Sequence, residues 1–122
     1  EADIELFMRQ DFVVTGSDGS TGHPRKYGTF PKKFREYVLD RGVISLARAV
    51  QASSAQTADI VGLVDRGRLE AGRFADVVVF DSTTYEAPTA MAVGVRYLLV
   101  NGRIAVAAGR PTAVLAGRAL RP

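Results

Sequence analysis

The stretch VRYLLVNGRIAVA, residues 95–107, decides the fold of the second half of the chain. Residues 95–100 and 104–107 are runs of β-branched, aromatic and other apolar residues, which favour strands. Between them lies Asn101-Gly102, a two-residue signal for a type I′ turn, because both central residues of that turn must adopt positive φ. The sequence therefore predicts an antiparallel hairpin here.

A third strand is predicted upstream of the hairpin. Residues 77–80, Val-Val-Val-Phe, form a continuous apolar run between Asp76 and Asp81, which is typical of a strand that is buried on both faces or lies within a sandwich. Residues 81–92 contain Pro88 and small polar residues and are predicted to be a loop. Residues 109–122 are predicted to be a loosely packed tail.

The first half of the chain has helical periodicity. Residues 29–40 and 45–53 are predicted helices, with Gly42 as the stop between them, Ser45 as an N-cap and a short further turn at 57–60. The first helix has one apolar face, on which four residues recur at three- and four-residue spacing: Phe30, Phe34, Tyr37 and Val38. This face indicates core packing.

The stretch FVVTGSDGS, residues 12–20, predicts a short buried strand followed by a sharp turn. Asp18 then lies at the C-terminal end of the strand. In parallel α/β sheets and barrels this is the edge at which catalytic groups collect. The alternative is an aspartate that merely stabilises a turn.

Three segments resemble parts of the amidohydrolase superfamily. DRGRLEAGRFADVVVFD, residues 65–81, resembles its C-terminal signature, and residues 95–106 resemble the hairpin that closes its small β-sandwich. The combination of GSDG at 16–19, HPR at 23–25 and YGTFP at 27–31 resembles the D-aminoacylases, or N-acyl-D-amino-acid deacylases, within that superfamily.

The resemblance implies an α/β fold made of two parts. Residues 1–60 are expected to be the last strand, active-site loop and C-terminal helices of a (β/α)8 barrel, and residues 61–122 a segment of the accompanying β-sandwich with a tail. A whole barrel needs ~250 residues, and this chain has 122. We therefore expect the C-terminal fragment of a larger enzyme.

The resemblance also implies zinc-dependent hydrolysis of N-acyl-D-amino acids to a carboxylate and a D-amino acid. Zinc needs three or four ligands, whereas the chain has one His and no Cys. We expect zinc in the full-length parent, none bound by this fragment, and no activity of the fragment alone. Another amidohydrolase activity, on dipeptides or cyclic amides, and a non-catalytic structural or dimerisation module remain alternatives.

Two residues are predicted to act in the site. By resemblance, Asp18 is the general base and acid, in contact with the metal-bound water and with a second, weaker metal. Arg25 binds the substrate carboxylate, because a guanidinium offers two parallel donors to it; the alternative is a surface arginine. His23 is interpreted as a structural hydrogen-bonding residue rather than a ligand.

Composition limits the other partners. The net charge is +3, and the basic residues are dispersed without interleaved aromatics, so we expect no nucleic-acid binding. No apolar run approaches the ~20 residues of a membrane span, so we expect no membrane partner and a cytoplasmic location. The expected partners are the N-acyl-D-amino acid, the remainder of the parent chain and, through uncovered apolar faces, a second copy of the chain.

Overall fold

The computed structural model describes residues 1–88 and 91–120, which form a helical half followed by a β-sheet half. The elements in chain order are α1 (Ala2–Met8), α2 (Arg25–Lys32) with a π-helical continuation (Lys33–Asp40), α3 (Leu46–Ser53), α4 (Ala55–Ile60), β1 (Val77–Phe80), β2 (Val95–Val100), β3 (Arg103–Ala107) and β4 (Arg110–Pro111). This is an α/β architecture. Within the described residues, no helix has the length and apolar character needed to cross a membrane.

The long helix begins four residues before its predicted start at Thr29. Pro24 already has helical angles, with φ −61° and ψ −22°, and proline is pre-organised for the start of a helix. Pro31 lies inside the helix and cannot donate a backbone hydrogen bond. The chain then widens into the π-helical turns, which end at Asp40, and Gly42 follows with φ 58°, confirming the predicted stop.

The other helices follow local signals. The Ser45 hydroxyl accepts from the Arg48 backbone N–H at 3.1 Å, which confirms the predicted N-cap of α3. Helix α4 contains the predicted turn at 57–60. Helix α1 was not predicted, although two acidic residues in its first turn, Asp3 and Glu5, favour a helix N-terminus.

The core of the helical half is small. Four buried residues form it, with Met8 and Val38 packed against them: Tyr37, Val43, Ile44 and Ala49. The sheet joins the helical half through an aromatic cluster in which Phe34 meets Phe80 edge to face, with ring centroids 5.3 Å apart. Tyr85 completes this cluster, 4.7 Å from Phe80.

The sheet is antiparallel, with strand order β1-β2-β3-β4. Asn101 has φ 49° and Gly102 φ 78°, so the predicted type I′ hairpin is confirmed. Strand β1 is also confirmed, but its predicted burial is wrong. Val78 and Val79 are 50% and 48% exposed, because the aromatic cluster covers the sheet only near Phe80.

The predicted loop and tail contain some regular pairing. Glu86 pairs with Val93 in an isolated bridge within the predicted loop, and β4 lies in the predicted tail. The Asn101 side chain donates to the Ala116 carbonyl at 2.7 Å and so fixes part of the tail on the hairpin. Residues 89–90 of the loop and 121–122 of the tail lie outside the described residues.

The predicted strand at residues 12–14 is not found as a strand. Residues 11 and 12 form a turn, and residues 13–20 have no regular structure. A strand requires a neighbour to pair with, and within residues 1–88 and 91–120 every strand ladder belongs to β1 to β4. Helix α3 holds the segment instead, because Arg48 donates to the Val13 carbonyl at 2.7 Å and the Thr15 N–H donates to the Ala52 carbonyl at 3.0 Å.

Candidate active site

The loop that carries Asp18 folds back onto the start of α2. Asp18 has φ 45°, a left-handed conformation that short polar side chains tolerate. Gly19 follows and lies so close to α2 that a Cβ atom there would stand 2.7 Å from the Lys26 Cα. Only glycine allows this approach, and it brings Asp18 beside the first turn of the helix.

Asp18 and Arg25, the two residues predicted to act in the site, form an ion pair. Arg25 Nη1 lies 2.9 Å from Asp18 Oδ2, and the side chains are 51% and 85% exposed. An exposed pair of this kind contributes little to stability. The importance of the contact is its position. It holds a carboxylate and a guanidinium together where the loop meets the first turn of α2.

His23 fixes the other side of the guanidinium. Its Nδ1 accepts from the Arg25 backbone N–H at 3.1 Å and from Arg25 Nε at 3.2 Å. An imidazole nitrogen that accepts carries no proton, so the geometry requires the neutral ring with its proton on Nε2. The contacts agree with the interpretation of His23 as a hydrogen-bonding residue.

A cavity of about 490 Å³ lies beneath the site, between α1, residues 13–16, α2 and α3. Its walls are mostly apolar, including Val13, Val14 and Ile44, and Arg25 borders it. Among the described residues its lining contains four cationic side chains and no carboxylate: Arg25, Lys32, Lys33 and Arg48.

Lys33 is the residue in this cavity that the sequence did not single out. Its ammonium group donates to Thr15 Oγ1, and Ser53 Oγ lies 3.1 Å from the same oxygen. Burial, and secondarily the positive charge of Arg48, lower the pKa of Lys33 below its ordinary value of 10.5. In the sequence Lys33 is one of several charged residues of the first helix. Only the fold shows that it lines the cavity and donates to Thr15.

A second cavity, of about 520 Å³, lies on the other side of Arg25. His23 and Arg25 line it together with Lys32 of α2, with Arg35 of the π-helical continuation and with Glu86 from the segment before β2. Arg35 also donates to the Thr83 carbonyl at 2.7 Å and so connects the π-helical continuation to that segment. Arg25 therefore stands between two cavities, and both of them contain further cationic side chains in their linings.

The described residues do not make a zinc site. Within 1–88 and 91–120, no group of three His, Cys, Asp or Glu side chains is close enough together to hold a metal ion. The single histidine of the chain uses its Nδ1 on Arg25, and Asp18 is paired with the same arginine. Since zinc takes three or four ligands, these groups supply at most one of them, through Asp18.

The loop and helix that form the site lie in a segment with a clear family assignment. Residues 2–106 match the Amidohydrolase family, and the chain belongs to that family.

Two curated relatives come from Alcaligenes xylosoxydans xylosoxydans. An N-acyl-D-glutamate deacylase is 37% identical over 131 residues, which cover 99% of this chain and 27% of the relative. A D-aminoacylase is 39% identical over 112 residues, which cover 84% of this chain and 23% of the relative. The chain thus spans about a quarter of the length of the curated relatives that it matches.

The solved structures that resemble this chain include enzymes with the same two names as these relatives. A crystal structure of a D-aminoacylase, described as defining a subset of amidohydrolases, superposes with a TM-score of 0.91 at 32% identity, covering 100% of this chain and 28% of the other. The N-acyl-D-glutamate deacylase from Bordetella bronchiseptica, complexed with zinc and a phosphonate inhibitor that mimics the tetrahedral intermediate, superposes with a TM-score of 0.78 at 33% identity. That match covers 95% of this chain and 27% of the relative.

Proposed function

We propose that this chain is the C-terminal part of a zinc-dependent N-acyl-D-amino-acid deacylase. Residues 1–60 would contribute the last barrel strand, the active-site loop and the C-terminal barrel helices, and residues 61–122 a β-sandwich segment. The proposal is supported by the relatives, all of which are deacylases several times longer than the chain. The ligands of the catalytic zinc would come from outside these 122 residues, and Asp18 would contact only a second, weaker metal.

The cavity beneath the site supports the barrel assignment of residues 12–14. Val13 and Val14 border this open, mostly apolar space, and they have no strand neighbour among the described residues. Both residue types favour strands. Neighbouring barrel strands that filled the cavity would give this segment the hydrogen-bond partners and the apolar cover that it lacks.

The observation that carries the catalytic proposal is the 2.9 Å contact between Asp18 and Arg25. In an N-acyl amino acid, the scissile nitrogen and the carboxylate carbon are bonded to the same Cα, so they stand only about 2.5 Å apart. A group that exchanges a proton at that nitrogen and a group that binds that carboxylate must therefore be close neighbours. Asp18 and Arg25 meet this requirement.

The roles of the two residues follow from their chemistry. The Asp18 carboxylate takes a proton from the water that attacks the acyl carbon, and it returns the proton to the nitrogen as the C–N bond breaks. The products are the carboxylate of the acyl group and a free D-amino acid. Arg25 binds the α-carboxylate of the substrate, which takes the place that the Asp18 carboxylate occupies on the guanidinium in the structure.

The two roles predict different kinetic losses in an enzyme that contains this segment. Asp18→Asn keeps the shape but removes the proton acceptor, so kcat should fall by ~10²–10⁴ with zinc content retained. Arg25→Lys keeps the charge but loses the paired donors, so the loss of ~1.5–3 kcal/mol should appear mainly in KM. Steady-state kinetics on N-acetyl-D-amino acids measures both values.

Asp40→Asn is a matched control, because Asp40 is an exposed carboxylate at the end of the π-helical segment. Its kinetics should match the wild type. Near-normal kcat in Asp18→Asn would show that Asp18 is a turn residue, and an unchanged KM in Arg25→Lys would remove the carboxylate-binding role.

A further inference from the structure

We propose that His23 is a positioning residue that selects which edge of the Arg25 guanidinium faces the substrate carboxylate. The inference rests on the proposed function of Arg25. It begins from two hydrogen bonds on one atom: His23 Nδ1 accepts from the Arg25 backbone N–H and from its side-chain Nε.

A guanidinium can bind a carboxylate through two edges, one formed by Nε with a terminal nitrogen and one formed by the two terminal nitrogens. In Arg25 the Nε hydrogen already points to His23 Nδ1 at 3.2 Å. The first edge is therefore engaged. What faces Asp18, and in the proposed function the substrate, is the edge of the terminal nitrogens, where Nη1 holds Asp18 Oδ2 at 2.9 Å.

The backbone contact adds the second constraint. Because His23 Nδ1 also accepts from the Arg25 N–H, the imidazole is fixed relative to the backbone at the start of α2 and not only to the Arg25 side chain. The His23 carbonyl accepts from the Lys26 N–H at 3.2 Å, which fixes the backbone of His23 on the same turn. The ring thus has a defined place from which to orient a side chain that is half exposed.

The arrangement holds only for a neutral ring. Protonation would put a hydrogen on Nδ1. This nitrogen would then be a donor that faces two other donors, one of them cationic.

The first test uses steady-state kinetics of an enzyme that contains the segment. His23→Ala should raise KM about tenfold with kcat little changed, because a hydrogen bond to a charged group is lost from a residue that binds substrate. His23→Asn should restore most of the loss, since the asparagine side-chain oxygen can accept near the position of Nδ1. Lys26→Ala, which removes an exposed neighbouring charge, should leave KM unchanged.

A double variant separates positioning from a general structural effect. His23→Ala combined with Arg25→Lys should be no worse in KM than Arg25→Lys alone, because both changes remove the same interaction. An unchanged KM in His23→Ala, or additive losses in the double variant, would overturn the proposal.

The final readout does not depend on activity. His23 is the only histidine in the chain, so long-range ¹H–¹⁵N spectra of the 122-residue protein report on it without ambiguity. We expect the tautomer with the proton on Nε2, and we expect Arg25→Lys to shift the Nδ1 resonance. The opposite tautomer would refute the contact. If the longer enzyme hydrolyses no N-acyl-D-amino acid but the spectra show the expected tautomer, the proposed function fails while the positioning of Arg25 by His23 stands.

Discussion

Arg66 offers the sharpest test of what holds the β-sheet half together. Its side chain is only 6% exposed, and its guanidinium contacts Asp76, Asp65 and, at 3.1 Å, Asn101 Oδ1. It also lies 4.7 Å from the centre of the Phe74 ring. One side chain thus joins the segment before β1 to the hairpin turn.

Replacing Arg66 by Met keeps much of the apolar stem but leaves its partners without their cation. Breaking a fully buried ion pair costs about 3–5 kcal/mol. The Asp76 side chain is 35% exposed and keeps its bond from the Asn101 N–H at 2.8 Å, so water and this donor compensate part of the loss. We expect Arg66→Met to lower the free energy of unfolding by about 2–3 kcal/mol.

The assay is urea denaturation of the 122-residue chain, monitored by circular dichroism. Arg68→Met is the matched control, because Arg68 also binds a carboxylate through both terminal nitrogens, at 2.7 and 2.6 Å from Asp59, but on an exposed surface. The control should be much less destabilised. Equal midpoints for the two variants would refute the reasoning, since burial would then make no difference to the interaction.

Two other changes test the turn and the cavity. Gly102→Ala should destabilise the chain by ~1–2 kcal/mol, because φ is 78° there and an added Cβ would meet no other atom. Gly16→Ala is the control, since a Cβ there also meets no atom but the residue lacks a positive φ. Thermal denaturation should show that the control is close to neutral. Burial lowers the pKa of Lys33 in the folded chain below 10.5, so the unfolded chain binds the proton more tightly. The free energy of unfolding should therefore rise as pH increases through the folded pKa toward 10.5. Urea denaturation at pH 7 and pH 10 should show this rise in the wild type and a smaller one in Lys33→Met; the same rise in both would contradict the assignment.

Features set by neighbouring residues could be predicted from the sequence. The hairpin turn depends on two residues that tolerate positive φ, the α3 N-cap on one hydroxyl, and the helix stop on Gly42. Each is an interaction among residues a few positions apart, so the sequence alone contains the necessary information. The family resemblance, which also rests on short motifs, is confirmed by the match over residues 2–106.

Features that depend on distant partners could not be predicted in the same way. The segment at 12–14 has the composition of a strand, but a strand forms only beside another one. The exposure of Val78 and Val79 likewise depends on which elements cover the sheet, and the aromatic cluster covers only one end of it. Lys33 looks like a solvated charge until the fold places it beside Thr15.

The candidate site is one of the features that neighbouring residues determine, which explains why its geometry forms within a single short segment. Asp18 and His23 lie in one short loop, Arg25 is the first residue of α2, and Gly19 brings the loop close to Lys26 in the same helix. No residue distant in sequence is needed to align the guanidinium with the carboxylate. The ligands of a metal centre in a barrel, by contrast, come from separate strands that are distant in sequence. In the proposed enzyme, this segment would therefore supply a pre-formed carboxylate-binding and proton-transfer unit, which assembly with the remaining strands would bring to the metal.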